Sequence, residues 1–174
     1  MKHNFKPYLN PIFIETGSYT GDGIIAALNA GFKTIYSIEL SEFYYNLCMQ
    51  RYGNIQGVHL VYGDSSKMLS EILQKVDQRC TFWLDAHFNG DPKAAKGEKL
   101  VPLWEELQII ANHHIKNHTI IIDDIRLLRR HEAEWKGIEY SVFDVEELIK
   151  TINSNYIITY DKGEEKQDIL IARI

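Results

Sequence analysis

Short apolar runs alternate with helical patterns along almost the whole chain, and this alternation limits the possible folds more than any other feature. Five runs of strand-forming residues are each followed by a helical or polar segment; they are residues 12–14, 34–38, 58–62, 81–84 and 119–122. Nearly continuous apolar strands between helices are typical of a parallel sheet that is covered on both faces. Because crossovers between parallel strands are right-handed, we expect a doubly wound arrangement.

The last part of the chain has a different rhythm. Two further strands are expected at residues 156–160 and 168–172, and only residues 161–167 separate them. A connection this short cannot hold a crossover helix, so these two strands must be antiparallel. The sequence therefore predicts an α/β fold with a mostly parallel seven-stranded sheet that ends in an antiparallel hairpin.

The composition is that of an ordinary globular domain. The chain has 174 residues, 45% hydrophobic and 25% charged, and we expect residues 1–174 to form a single domain. No apolar run approaches the roughly 20 residues that a membrane span needs, and the first residues lack the pattern of a signal peptide. Cys48 and Cys80 lie in apolar periodic segments and fit buried thiols in a reducing compartment. These features predict a cytoplasmic protein that does not act at a membrane.

The net charge of −5 argues against a nucleic acid as the main partner, because duplex binding usually needs a basic face. One local exception is the basic segment at residues 126–131, which contains Arg126, Arg129 and Arg130. Its structural interpretation is a solvated loop or helix face. Its functional interpretation is a clamp on an anionic substrate, and we favour the structural one.

Acidic residues follow all five parallel strands. They are Glu15, Glu39, Asp64, Asp85 and the pair Asp123-Asp124. Ligands of open α/β sheets bind outside the carboxyl ends of the strands, so these side chains are expected at one common edge. A single acid at such a place is usually a helix cap or a turn residue. Because like charges repel, acids gathered from five strands instead indicate a ligand with hydroxyl groups, a cation or a metal.

The turn after the first strand is rich in glycine. Its sequence is Glu15-Thr16-Gly17-Ser18-Tyr19-Thr20-Gly21-Asp22-Gly23, and a short helix follows. Glycine lets a ligand approach the backbone, and the amides of a helix N-terminus attract anionic groups. Glu39 stands where a carboxylate can accept both hydroxyls of a ribose. A nicotinamide dinucleotide fits these features too, but Gly63-Asp64-Ser65 and the terminal hairpin favour S-adenosylmethionine.

These residues resemble the motifs of the class I S-adenosylmethionine-dependent methyltransferases. Glu15-x-Gly17-x-x-x-Gly21 is similar to their first motif, Glu39 to the ribose ligand and Gly63-Asp64 to the acid on the adenine side. The resemblance implies the strand order 3-2-1-4-5-7-6, with strand 7 antiparallel. It also implies a cofactor site formed by Glu15, Gly17, Ser18, Tyr19, Gly21, Glu39, Asp64, Ser65 and Asp85. Tyr19 stands where the family often has a glycine, so its side chain is expected to crowd the cofactor or to form a wall of the pocket.

A narrower resemblance is to the metal-dependent O-methyltransferases of the macrocin and catechol type. Those enzymes have one Asp after strand 4 and an acidic or amide pair after strand 5, and Asp85 and Asp123-Asp124 match this pattern. The resemblance implies a Mg²⁺ ion held by Asp85, Asp123 and Asp124, which would help a substrate hydroxyl lose its proton. The candidate catalytic residues are Asp85 and His87. In the alternative interpretation, Asp123 or Asp124 pairs with Arg126 or Arg129 and His87 anchors a loop.

The predicted activity is methyl transfer to the hydroxyl of a small polar substrate, with or without metal assistance. The alternatives are a nicotinamide-dependent oxidoreductase and a cofactor-binding protein without catalysis. Polar insertions at residues 88–99 and 126–140 are predicted lids or binding loops, which bound the acceptor pocket alone or with a second subunit of a homodimer. We expect His113 at an exposed helix end and His118 at the start of strand 5.

Overall fold

The computed structural model of the protein describes residues 3–130 and 138–174, in which strands and helices alternate as predicted. The strands are β1 (Ile12–Thr16), β2 (Thr34–Glu39), β3 (Val58–Tyr62), β4 (Cys80–Leu84), β5 (Thr119–Ile122), β6 (Ile157–Asp161) and β7 (Ile169–Arg173). The helices are α1 (Asp22–Ala30), α2 (Glu42–Tyr52), α3 (Ser65–Leu73), α4 (Leu103–Asn112), α5 (Ile125–Arg130) and α6 (Val142–Ile152). A short 3-10 helix, Lys6–Tyr8, precedes β1.

All seven strands belong to one sheet with the order β3-β2-β1-β4-β5-β7-β6. The first five strands pair in parallel, whereas β7 is antiparallel to both β5 and β6. The predicted order and the antiparallel hairpin are therefore confirmed. The strand order reverses between β1 and β4, and at such a point a crevice opens beyond the carboxyl ends of the strands.

Side chains of the central strands enter two hydrophobic clusters, one on each face of the sheet. Phe13 and Trp83 pack with residues of α1 and α2, whereas Ile14 and Phe82 pack with residues of α3, α4, α5 and α6. Burying one such side chain contributes about 1.5–3 kcal/mol. Because each central strand is held from both faces, the residues that follow it are fixed in position.

The end of α4 differs from the prediction, because His113 is buried and not exposed. The Cys80 N–H donates to Nδ1 of His118 at 3.0 Å, and Nδ1 of His113 lies 2.9 Å from Nε2 of His118. Nε2 of His113 lies 3.0 Å from the Val76 carbonyl oxygen. Burial lowers the pKa of His118 to about 4, and the charge of His113 adds to this effect. The two histidines thus link α4, β4 and β5.

Two further expectations concern compartment and membrane. Cys48 and Cys80 are both free and buried, as predicted. None of the described helices combines the length and the apolar character that crossing a membrane requires.

Candidate active site

A cavity of about 240 Å³ opens at the carboxyl ends of the parallel strands. Each of the five strands contributes one lining residue at or just beyond its end: Gly17, Glu39, Asp64, Asp85 and Asp124. Acids from separate strands therefore meet at one edge of the sheet, as the alternating pattern predicts. Glu39 and Asp64 form the β2–β3 end of the cavity, and Asp85 and Asp124, with His87, form its β4–β5 end.

The glycine-rich turn lies between these two ends. Gly17 and Gly21 have φ values of 83° and 87°, in the left-handed region that favours glycine. A Cβ atom on Gly17 would lie 2.6 Å from the Asp85 carbonyl oxygen, so only glycine lets the two loops touch. Ser18 is buried and its hydroxyl lies 2.5 Å from that of Ser37. Gly17 thus lines the cavity, whereas Ser18 and Gly21 support the turn from behind.

Glu15 lies beneath the turn, with an exposed fraction of 1%. The Ser37 hydroxyl donates to its Oε2 at 2.5 Å, and its Oε1 occupies the space that a Cβ on Gly23 would need. Burial raises the pKa of Glu15 to about 8; the Ser37 hydrogen bond opposes this shift, and the charges of Asp85 and Glu39 add to it. The structure therefore places Glu15 as a buried support of the turn and not among the residues that line the cavity.

Glu39 presents its carboxylate at the β2–β3 end, where backbone amides hold it. Its Oε2 accepts the N–H of Tyr19 at 2.8 Å, and its Oε1 accepts the N–H of Ser41 at 2.7 Å. Burial raises the pKa of Glu39, and these backbone hydrogen bonds oppose the shift. Each carboxylate oxygen keeps a further lone pair. Both oxygens are thus fixed in place at the wall of the cavity.

Asp64 is both a helix cap and part of the cavity wall. Its Oδ1 caps α3 by accepting the N–H and the hydroxyl of Ser66, at 3.0 and 2.7 Å. Its Oδ2 lies beside Gly97, where a Cβ atom would come within 2.8 Å. Ser65, the first residue of α3, lines the cavity next to it. The interpretation of such an acid as a helix cap is therefore correct for one oxygen, and the other oxygen lies beside Gly97.

Tyr19 forms a wall of the cavity. It has a φ of 45°, in the left-handed region that costs a non-glycine residue about 1–2 kcal/mol. Its ring centroid lies 4.4 Å from that of Tyr44, and both hydroxyls donate to Oδ2 of Asp91, at 3.1 and 2.7 Å. Of the two outcomes expected for this position, the structure shows the wall.

His87 stands between two carboxylates at the β4–β5 end. Its Nδ1 lies 3.4 Å from Oδ1 of Asp85, and its Nε2 lies 3.2 Å from Oδ2 of Asp124. Burial acts to lower the pKa of His87, but the hydrogen bond and charge of Asp85, with the charge of Asp124, outweigh it and raise the pKa. Burial also raises the pKa of Asp85, which His87 opposes. This group is therefore suited to taking up a proton.

The predicted metal ligands are divided between two groups. Among the described residues, ligand atoms come within 4.8 Å of one another in the set Asp85, His87 and Asp124, and again in the set Asp123, Asp124 and Asp168. Asp85 and Asp123 thus belong to different groups and share only Asp124. Oδ1 of Asp123 accepts the Asp124 N–H at 2.9 Å. Burial, with the charges of Asp85 and Asp124, raises the pKa of Asp123 to about 8.

Arg126 already supplies a positive charge to the second of these groups. Its guanidinium pairs with Oδ1 of Asp124, lies 2.6 Å from Oδ2 of Asp168 and lies 2.9 Å from Oε2 of Glu164. Asp168 is fully buried and also accepts the backbone N–H groups of Arg126 and Glu164. The alternative interpretation, in which Asp124 pairs with an arginine, is therefore correct for one oxygen, while the other faces His87. The group of Asp85, His87 and Asp124 is the one left to accept a divalent cation.

The rest of the basic segment holds the terminal hairpin in place. Arg129 donates to the Gln167 carbonyl oxygen at 2.6 Å, and Arg130 pairs with Glu165. These contacts support the structural interpretation of the segment and leave its arginines engaged within the molecule. His131 and residues 131–137 of the second predicted lid lie outside the described residues.

The first predicted lid follows β4 and folds along the cavity. The Phe88 N–H donates to the Leu100 carbonyl oxygen at 2.8 Å and closes residues 88–100 into a loop. Asn89, Gly97 and Lys99 are among its residues that line the cavity. The loop was expected to bound the acceptor pocket, and it reaches further, from His87 at one end to the neighbourhood of Asp64 at the other.

Two buried acids near the site were not predicted. Asp168 stands at the start of a strand, where nothing local identifies its partner Arg126. Glu106, in α4, has an exposed fraction of 1%, and its Oε1 has no hydrogen-bond partner among the described residues. Burial raises the pKa of Glu106 to about 7, and hydrogen bonds from Ser65 and Thr16 oppose the shift. An acid at helical spacing within the apolar face formed by residues 103, 107 and 110 was the signal that could have found it.

Several solved structures share this architecture. An O-methyltransferase from Bacillus cereus with bound S-adenosylhomocysteine has a TM-score of 0.61 at 11% identity, over 98% of this chain and 76% of that one. A methyltransferase from Podospora anserina, also with S-adenosylhomocysteine, has a TM-score of 0.59 at 13% identity, over 97% and 74% of the two chains. The chain has the fold of the class I S-adenosylmethionine-dependent methyltransferases.

Not all of the similar structures are O-methyltransferases. The N-methyltransferase NodS from Bradyrhizobium japonicum has a TM-score of 0.55 at 12% identity, over 98% of this chain and 88% of that one. At the level of sequence, no family model and no curated protein matches the chain. The similarity therefore establishes the fold, and the chemistry has to be argued from the site.

Proposed function

We propose that the protein is an S-adenosylmethionine-dependent methyltransferase that acts on a hydroxyl group of a small polar substrate. The observation that carries this proposal is the distribution of side chains along one cavity. Glu39 and Asp64 offer hydrogen-bond acceptors at the β2–β3 end, and Asp85, His87 and Asp124 form a proton-accepting group at the β4–β5 end. The fold supports the same conclusion, because two similar methyltransferase structures contain S-adenosylhomocysteine.

The cofactor would lie across the turn after β1. Glu39 accepts the two ribose hydroxyls, and Oδ2 of Asp64, with Ser65 beside it, accepts the adenine amino group. Gly17 lets the amino-acid part pass close to the backbone, where Asp85 adjoins it. Bound S-adenosylmethionine would supply an electrophilic methyl group. The residues assigned to the nucleoside and those assigned to the reaction lie at opposite ends of one cavity.

His87 acts as the general base for the acceptor. It would accept the proton of the substrate hydroxyl when that oxygen takes up the methyl group, and S-adenosylhomocysteine would be the leaving product. Asp85 and Asp124 face its two ring nitrogens and stabilise the imidazolium that forms. General base catalysis of this kind contributes about 10²- to 10⁴-fold to a rate. All groups in this step belong to β4, β5 and the residues that follow them.

Asp85, His87 and Asp124 also fit a divalent cation such as Mg²⁺. Two carboxylates and an imidazole lie within 4.8 Å of one another, and Arg126 already neutralises the neighbouring acid group. A bound cation would lower the pKa of a substrate hydroxyl and help to orient it, and His87 would then be a ligand in place of the general base.

Isothermal titration with S-adenosylhomocysteine and with NAD tests the cofactor assignment. We expect binding of S-adenosylhomocysteine and none of NAD. Binding of NAD alone would favour an oxidoreductase, and binding of neither would contradict the proposal.

A second titration, with MgCl₂ in the presence of S-adenosylhomocysteine, tests the cation. Asp124→Asn is expected to abolish Mg²⁺ binding, whereas the matched variant Asp123→Asn retains it, because Asp123 lies outside the candidate group. Equal Mg²⁺ binding by both variants, or none by the wild type, would exclude this cation site.

A further inference from the structure

The loop of residues 88–100, here called the cover loop, closes the β2–β3 end of the cavity from outside. Gly97 lies so near Asp64 that a Cβ atom would come within 2.8 Å of its Oδ2 and 3.3 Å of Leu40. With the cover loop in this position the cavity measures about 240 Å³, which is below the range of about 300–1,000 Å³ that is usual for ligand pockets. A nucleoside ligand would therefore need the cover loop to move outward to be accommodated.

The tip of the cover loop is held by two tyrosines from different elements. Tyr19 belongs to the turn after β1 and Tyr44 to the first turns of α2, and their rings pack against each other. Both hydroxyls donate to the same oxygen of Asp91, at 3.1 and 2.7 Å. Tyr44 is 5% exposed, so its hydroxyl is aimed at Asp91 by the packing of its ring. Hydrogen bonds to a carboxylate are stronger than those between neutral groups.

A second set of contacts fixes the cover loop two residues further on. The Ser41 hydroxyl donates to the Lys93 carbonyl oxygen at 2.6 Å, and the Lys93 N–H donates to Oδ1 of Asp91 at 2.7 Å. The Lys93 ammonium lies 4.4 Å from the centre of the Phe43 ring. Ser41 also donates its N–H to Glu39. Ser41 thus contacts both the cover loop and Glu39, the candidate ribose ligand.

We propose that Tyr19, Tyr44 and Asp91 form a clasp that holds the cover loop closed over the nucleoside, so that cofactor enters and product leaves only when the clasp opens. The inference rests on the proposed function, because the ligand it concerns is the adenosyl cofactor. It also gives a role to the tyrosine that has a positive φ in the glycine-rich turn, because the Tyr19 hydroxyl reaches Asp91 from there.

The test measures binding kinetics of S-adenosylhomocysteine to the immobilised full chain by surface plasmon resonance. Tyr44→Phe and Asp91→Ala remove the hydrogen bonds of the clasp. We expect both the association and the dissociation rate constants to rise about five- to ten-fold, which corresponds to the loss of hydrogen bonds of modest net strength. The equilibrium constant changes less than either rate, because opening speeds entry and exit together.

Tyr45→Phe is the matched control, since it makes the same change on the same helix. Its ring packs against Tyr62 and not against the clasp, so both rate constants should stay at the wild-type values. Unchanged rates in both clasp variants would overturn the proposal. An increase in dissociation with slower association would also overturn it, because that result identifies the tyrosine as a direct ligand contact.

Amide hydrogen exchange of the ligand-free chain separates failure of the clasp from failure of the proposed function. Amides of the cover loop that do not bond to the Asp91 side chain, such as that of Phe88, should exchange faster in Asp91→Ala than in the wild type. Equal exchange contradicts the clasp whatever the ligand is. A wild type that shows no binding of S-adenosylhomocysteine contradicts the proposed function, and with it the role of the clasp in cofactor exchange.

Discussion

The two ends of the cavity hold their carboxylates in different ways. At the β2–β3 end, Glu39 and Asp64 accept hydrogen bonds from backbone N–H groups two residues further along the chain, and Glu39 accepts one more from Tyr19 in the turn after β1. At the β4–β5 end, Asp85 and Asp124 both face the imidazole of His87, and Asp124 also pairs with the guanidinium of Arg126. Backbone groups hold the carboxylates at one end, whereas side chains hold them at the other. One of these side chains, Arg126, also pairs with Asp168 at the start of β7.

This difference has a consequence for chemistry. A carboxylate fixed by backbone amides keeps its charge and its position, which suits the binding of hydroxyl and amino groups. A carboxylate that shares a proton with an imidazole can change its charge during a reaction, which suits proton transfer. Asp168, Arg126, Asp124 and His87 contact one another in that order, so we expect substitutions at the β4–β5 end to have the larger effects.

The largest effect is expected for Arg126→Gln. The substitution leaves Asp168 fully buried without its cation, and breaking such a pair costs about 3–5 kcal/mol. The free energy of unfolding, measured by urea denaturation, should fall by that amount.

Arg130→Gln is the control for this substitution, because Arg130 forms an exposed ion pair with Glu165 in the same helix and hairpin. Its effect should stay below about 1 kcal/mol. Similar losses for the two arginines would remove the distinction between a buried and a solvated charge pair.

Most of the fold followed from the sequence because its signals are local and repeated. The alternation of apolar runs and helical spacing specified all seven strands, and the short connection at residues 161–167 required the antiparallel hairpin. The helix Ile125–Arg130 was left open between loop and helix, since six residues carry little periodicity. The burial of His113 was also missed, because its partner His118 comes from the next strand.

The candidate site could be predicted only for residues whose position follows directly from the end of a strand. Gly17, Glu39, Asp64 and Asp85 follow strands, and the topology alone brings them to one edge. The division of the metal ligands into two groups could not be predicted, because it depends on Asp168, which lies 42 residues beyond Arg126. The clasp on Asp91 was missed for the same reason, since its hydroxyls come from distant turns.

Glu39→Ala tests whether the β2–β3 end of the cavity binds the nucleoside of the cofactor. Loss of two hydrogen bonds to a carboxylate should weaken S-adenosylhomocysteine binding at least about ten-fold, as measured by isothermal titration. Asp124→Asn, at the opposite end, should leave that affinity close to the wild-type value. If the two variants weakened binding equally, the nucleoside would not be confined to the β2–β3 end.

The smallest effect is expected for Asp64→Asn, which separates the two functions of that residue. Asparagine caps a helix about as well as aspartate, so the free energy of unfolding should change by less than about 0.5 kcal/mol. Its amide nitrogen cannot accept the adenine amino group, so S-adenosylhomocysteine should bind about three- to five-fold more weakly. Asp64→Ala is the companion variant: it removes the cap as well and should also lower stability by about 1 kcal/mol. Full affinity in the asparagine variant would mean that Asp64 is a helix cap alone, and that adenine recognition rests on other groups at this end.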